Sequence, residues 1–250
     1  DRRPDDFLER DRRIRASGFS CFLGMLAVAA LMRFEVDPDW VVAAWAALAF
    51  VLVAIAWRSS QSIFLDQAFF LAFAVLFRTV AHNFYERSYF PAPFWHGRLA
   101  CVGLTVSLLF LALPFAFNLR SAAATVVTQE HQRFRRAIEL ARRRPEQLFY
   151  FVAFTLLTWL LAIETRRGMV TLAWGLEAVV VFVLALWAGE RSFRLSGLGL
   201  LLLCVAKIVV VDVWRLSPRD RYVTFIVLGS ALLGVSFLYT RFRVTLRQYL

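Results

Sequence analysis

The sequence predicts an all-α fold, a polytopic transmembrane helical bundle of about eight spans arranged as two parallel four-helix repeats. Three observations predict it. Of the 250 residues, 60% are hydrophobic, and the mean hydropathy of +0.62 is too high for a soluble domain. The apolar residues gather in runs of about 20, the length that crosses a hydrocarbon core of roughly 30 Å. The chain also matches itself at a shift of 129 residues, as a duplicated unit does.

Taken in order, residues 1–15 are a polar, Arg-rich lead-in on the cytoplasmic side. The first span runs from about Ser17 to Met32, and an acidic loop (Glu35, Asp37, Pro38, Asp39) leads to the second, Trp40 to Trp57. The third, Ile63 to Ala81, carries Asp66 near its start and Arg78 inside it; after an aromatic loop, His82 to Arg98, the fourth is Leu99 to Phe117. These four make the first repeat, 16–119.

Residues 120–146 form a basic segment whose Val127, His131, Phe134, Ile138 and Ala141 fall on one helical stripe, the pattern of an amphipathic linker helix on the cytoplasmic membrane surface. Its Arg133, Arg135, Arg136, Arg142, Arg143 and Arg144 are candidates for contact with lipid headgroups or a partner, besides their plain role in setting topology. Pro145 suits the first turn of the next helix. The second repeat, 147–250, holds spans at about Gln147–Thr165, Met169–Ala188, Gly197–Leu216 and Tyr222–Thr240.

Charge gives the orientation. The net charge of +11 comes from 29 basic residues, of which Lys207 is the only lysine. With both termini cytoplasmic, nineteen fall in inner segments and eight in outer ones, as the positive-inside rule requires. Basicity is thereby explained by topology, and a nucleic-acid partner is not expected. Trp40, Trp95 and Trp214 near one face, with Trp57 and Trp187 near the other, fit aromatic belts. Cys21, Cys101 and Cys204 are too scattered for a disulfide framework or a metal site. His82, Glu86 and His96 could share a metal but read as interface residues, so no metal and no cofactor is expected. The chain begins with Asp1 and shows no signal-peptide pattern, and is expected to be trimmed or a piece of a longer protein.

Two ionisable residues stand out inside the second repeat. Glu177 lies 11 residues before Ala188 and Lys207 lies 10 after Gly197, so a turn spanning 189–196 would bring them to one depth as an intramembrane charge pair. Such residues are costly in lipid and usually face a bundle interior with a partner.

The shift of 129 aligns Val41, Ala44, Trp45, Ala49, Val51 and Ala56 with Val170, Ala173, Trp174, Ala178, Val180 and Ala185. It also aligns Glu35 with Glu164, Arg78 with Lys207 and Asn83 with Asp212, and a shift of 123 aligns Arg98 with Arg221. Four spans per copy give both copies the same orientation, related by a pseudo-axis along the membrane normal. The copies differ where Glu177 replaces Leu48, so Arg78 lacks that acid and is expected to snorkel toward Glu35 or Glu86.

The stretch WGLEA (174–178), the run LSGLGLLLLCVAKIVVVD (195–212) and GSALLGVSFLYTRF (229–242) resemble a bacterial family of multi-pass predicted membrane proteins, the domain of unknown function DUF2339. The resemblance covers about a third of the chain and implies a many-span membrane protein, with no established activity. No phosphate loop, HExxH helix or GxSxG elbow is present. The expected function is a non-enzymatic transport or translocation component, or a scaffold subunit of a membrane complex, in the bacterial cytoplasmic (inner) membrane. Its partners would be the lipid bilayer and either other membrane subunits or further copies of the chain. The alternative is an enzyme at the extracytoplasmic face acting on a lipid-linked or acyl substrate, its carboxylates and histidines working beside Arg98, Arg166, Arg167 and Arg221.

Overall fold

The structure, a computed structural model, describes residues 4–86, 95–120, 142–165, 169–212 and 218–241. Among them there is helix throughout and no strand. The helices are α1 (Pro4–Glu35), α2 (Val41–Ser59), α3 (Ser62–Arg78), α4 (Trp95–Leu111), α5 (Leu113–Leu119), α6 (Pro145–Glu164), α7 (Val170–Ala188), α8 (Arg191–Lys207) and α9 (Pro218–Arg241). Two of them run on into π-helical turns, α3 into Thr79–Glu86 and α8 into Ile208–Asp212.

Local chemistry sets the boundaries. Pro4, Pro145 and Pro218 open α1, α6 and α9, where a missing N–H costs nothing. Pro114 lies in the first turn of α5, which is why the helix is interrupted at Ala112. The α2–α3 and α7–α8 turns are closed by left-handed residues, Ser60 at φ 56° and Gly189 at φ 69°. The Ser60 N–H bonds the Ala56 carbonyl, and the Gly189 N–H bonds the Leu186 carbonyl.

Six helical segments are long and apolar enough to cross a membrane: Gly18–Glu35, Val41–Ser59, Ser62–Tyr85, Gly97–Leu119, Pro145–Glu164 and Arg191–Val210. Val170–Leu186 and Tyr222–Phe237 are apolar but shorter. Large apolar side chains such as Phe34, Phe77, Leu202, Val210 and Leu233 point outward, the surface of a helix set solvated by lipid. Together these make the chain an integral membrane protein.

The chain divides into two compact units, Asp1–Leu157 and Thr158–Leu250, the division falling inside α6. In the first, α2 is central, packing against α1, α3, α4 and α5. Its buried face is Val41, Val42, Ala46, Ala49, Val53 and Ala56, met by Ala68, Ala72 and Val75 of α3 and Cys101 and Val102 of α4. Small residues bring the helix backbones together where lipid supplies no hydrophobic drive. The amino end of α6 joins this unit through Phe149, whose ring lies 5.7 Å from that of Phe69, and through a two-pronged ion pair from Arg142 to Asp66.

In the second unit α7 packs against α8 and α9. Ala178, Val181, Phe182 and Ala185 are buried on α7, and Gly197, Leu200, Leu201 and Cys204 on α8. Gly197 marks the closest approach: a Cβ there would sit 3.0 Å from the Ala178 carbonyl and 3.2 Å from Phe182.

Candidate intramembrane site

Five polar residues of the second unit, Thr158, Thr171, Trp174, Glu177 and Lys207, are linked to one another. On α7, the Trp174 indole Nε1–H donates to the Thr158 carbonyl at 2.9 Å, and the Thr158 hydroxyl donates to Glu177 Oε1 at 2.8 Å. From α8, the Lys207 ammonium lies over the Trp174 ring, 5.9 Å from its centroid, and donates to the Thr171 hydroxyl. Glu177 is 6% exposed, and its Oε2 has no hydrogen-bond partner among the described residues. Helix periodicity explains the arrangement: Thr171, Trp174 and Glu177 recur at i, i+3 and i+6, on adjoining turns.

Glu177 and Lys207 do not meet as an ion pair. The carboxylate is engaged by Thr158 and the ammonium reaches Thr171, six residues before Glu177 and about 9 Å along the helix at 1.5 Å per residue. The reason is the turn. Arg191–Ser196 is not a loop but the start of α8, leaving only Gly189 and Glu190 between the helices. A two-residue connection carries Lys207 past the depth of Glu177.

The first unit holds a similar tryptophan and cation. There the Trp45 indole Nε1–H donates to the Ala29 carbonyl at 2.9 Å, and the Arg78 guanidinium lies over the Trp45 ring at 5.8 Å. Arg78 Nη2 donates to the Pro38 carbonyl at 3.0 Å. Both tryptophans reach back sixteen residues, and both cations end an α-helix that continues as a π-helical turn. What differs is the polarity around them: Ala29, Val42 and Leu48 stand 129 positions before Thr158, Thr171 and Glu177.

Residues 104–242, more than half of the chain, match the model of the predicted membrane protein family DUF2339. The chain belongs to this family. In this DUF2339 chain the match takes in the second unit's helices and extends back through the basic segment into α4. Neither the curated proteins nor the solved structures contain a match to it.

Elsewhere in the DUF2339 protein, a second polar cluster gathers about the turn between α1 and α2. Asn83 Nδ2 donates to the Asp39 carbonyl at 3.2 Å, and the Cys101 thiol donates to the same oxygen. His82 Nε2 lies 3.3 Å from Asp39 Oδ1. Glu35, at the end of α1, is exposed, while Arg98 in α4 and Glu164 at the end of α6 are partly buried. The side chains of Asp212 and Arg221 lie outside the described residues, as do Arg133, Arg135 and Arg136.

Of the arginines read as headgroup contacts, Arg142 is spent on Asp66, whereas Arg143 and Arg144 are exposed. Arg120 Nη1 stands 3.8 Å from Glu146 Oε1, whose side chain is fully buried at the start of α6. The residues that sequence reasoning passed over are Thr158 and Thr171. Threonine is unremarked in an apolar span, because its hydroxyl satisfies itself on the helix backbone as Thr79 and Thr105 do.

Proposed function

We propose that this DUF2339 protein is a non-enzymatic transport or translocation component. In this reading it has eight spans as two parallel four-helix repeats and lies in the bacterial cytoplasmic membrane with both termini inside. The repeat reading is supported by the limits of α2 and α3, which recur 129 residues later in α7 and α8, and by the left-handed residues, tryptophan bonds and stacked cations that recur with them.

One observation carries the functional part: Thr158, Glu177, Trp174, Lys207 and Thr171 are linked on the apolar helices α6, α7 and α8, while Ala29, Leu48 and Val42 stand 129 positions before Thr158, Glu177 and Thr171. The first unit builds the same tryptophan bond and the same stacked cation without those polar groups. Packing therefore does not demand them, and ionisable groups kept in a span at a cost mark a pathway or coupling site. Glu177, with one carboxyl oxygen unbonded among the described residues, is the group placed to take up a proton or a small cation.

The test is flux in proteoliposomes carrying an internal pH dye, with an imposed proton or potassium gradient. Wild type should dissipate a gradient, and Glu177→Gln should abolish this while its unfolding temperature stays at the wild-type value. A protein that moves neither ion, and that Glu177→Gln merely destabilises, would turn the reading to its structural form, a scaffold subunit.

A second reading has its own observation. The His82–Asp39 contact at 3.3 Å, with the Cys101 thiol on the Asp39 carbonyl, is an imidazole oriented by a carboxylate, the minimum for an enzyme acting on a lipid-linked or acyl substrate at the extracytoplasmic face. Turnover of such a substrate by the reconstituted protein, lost in both His82→Ala and Asp39→Asn while the fold is kept, would favour it.

A further inference from the structure

We infer that the first unit carries a binding groove for one phospholipid with an anionic headgroup, taken from the surrounding bilayer. The groove is a cavity of about 390 Å³ lined by Phe73 and Leu76 of α3, Arg144, and Gln147, Leu148, Phe151, Val152 and Thr155 of α6. The six positions from Arg144 to Thr155 follow i, i+3, i+4, i+7, i+8 and i+11, one unbroken face of a helix and its leading residue. Polarity falls along that face. The cation stands at one end, an amide follows, leucine, phenylalanine and valine line the middle, and the uncharged Thr155 closes the far end.

Eleven residues at 1.5 Å rise span about 16 Å, close to half of a hydrocarbon core of roughly 30 Å. The groove therefore has the depth of one leaflet, with its charge where a phosphate lies and its apolar length where an acyl chain lies. Phe73 and Phe151, 55% and 40% exposed, form walls rather than core.

Charge selects the headgroup. Among the described residues, Arg142 and Arg143 directly precede Arg144 in the chain and Arg120 stands 3.8 Å from Glu146, against the carboxylates of Asp66 and Glu146. Arg142 grips Asp66 with both its Nε and Nη2, which anchors the residues before α6 and holds the neighbouring Arg144 at the groove's end. An excess of two positive charges favours an anionic lipid over a zwitterionic one. This inference concerns the first unit and is independent of the function proposed for the second.

The experiment is native mass spectrometry of the full chain released from nanodiscs of equal parts phosphatidylglycerol and phosphatidylcholine. One phosphatidylglycerol should be retained, with about a fivefold preference over phosphatidylcholine. Arg144→Gln should abolish the preference, Arg144→Lys should keep most of it, and Val152→Trp, which fills the groove, should lower retention of both lipids. Equal retention of the two lipids by wild type would overturn the inference. So would undiminished retention in Val152→Trp, or efficient crosslinking of a Phe151→Cys variant to a second copy, since a helix and not a lipid would then occupy the groove.

Discussion

Trp45 donates its indole N–H to the carbonyl of Ala29 at 2.9 Å, sixteen residues back in the chain. The bond ties α1, whose residues 18–35 are mostly exposed, to α2 at a point where lipid gives helices no hydrophobic reason to associate. Trp174 makes the same bond to Thr158. Trp45→Phe and Trp174→Phe each keep a ring for the cation and lose the donor, and each should cost about 1 kcal/mol. Unfolding titrations in mixed micelles check this, and costs that differ severalfold between the two sites would contradict an equivalent role.

The Thr158–Glu177 hydrogen bond predicts a specific non-additivity. Thr158→Ala alone leaves a buried carboxyl oxygen without its donor, at a cost of about 1–3 kcal/mol. Adding Glu177→Leu restores the pair of side chains found at Ala29 and Leu48 and should recover most of that loss. A double-mutant cycle reads the coupling directly; additive losses would mean that the hydroxyl and the carboxylate act independently.

The two left-handed turn residues give opposite expectations. Ser60 pays for φ 56° with a Cβ, while Gly189 holds φ 69° freely. Ser60→Gly should stabilise the protein by about 0.5–1 kcal/mol, and Gly189→Ala should destabilise it by about 1 kcal/mol. Thermal unfolding followed by circular dichroism distinguishes the signs.

Gly197 is a tight contact between α7 and α8. Its missing Cβ would fall 3.0 Å from the Ala178 carbonyl, so Gly197→Val should force the helices apart and cost about 1–3 kcal/mol. At Gly199, where a Cβ meets nothing within 4 Å, the same replacement should do far less. The comparison is made by expression yield and unfolding midpoint of the two variants.

The helical, membrane-spanning character is legible in the sequence, and the reasons differ by feature. Six span positions follow from hydropathy because lipid forces every backbone group into a helix, and the shift of 129 stands out in the sequence because it aligns the sparse polar residues Glu35, Arg78 and Asn83 with Glu164, Lys207 and Asp212. Glu190, Arg191 and Arg194 look like a polar loop in the sequence, whereas α8 begins at Arg191, and the shorter turn sets Lys207 beside Thr171 instead of Glu177. The Arg142–Asp66 ion pair joins residues 76 apart, and the π-helical turns leave no compositional mark. Neither is readable from local pattern.

Those π-helical turns begin at Thr79 and Ile208, each directly after the stacked cation. A π turn winds more residues into each revolution than the α-helix around it, so whatever follows is out of phase with whatever came before. Asn83 finds the carbonyl of Asp39 from within such a stretch. Removing one residue there would rotate the remainder by about 100°, leaving the tryptophan and its cation in place while turning Asn83 toward the wrong neighbour.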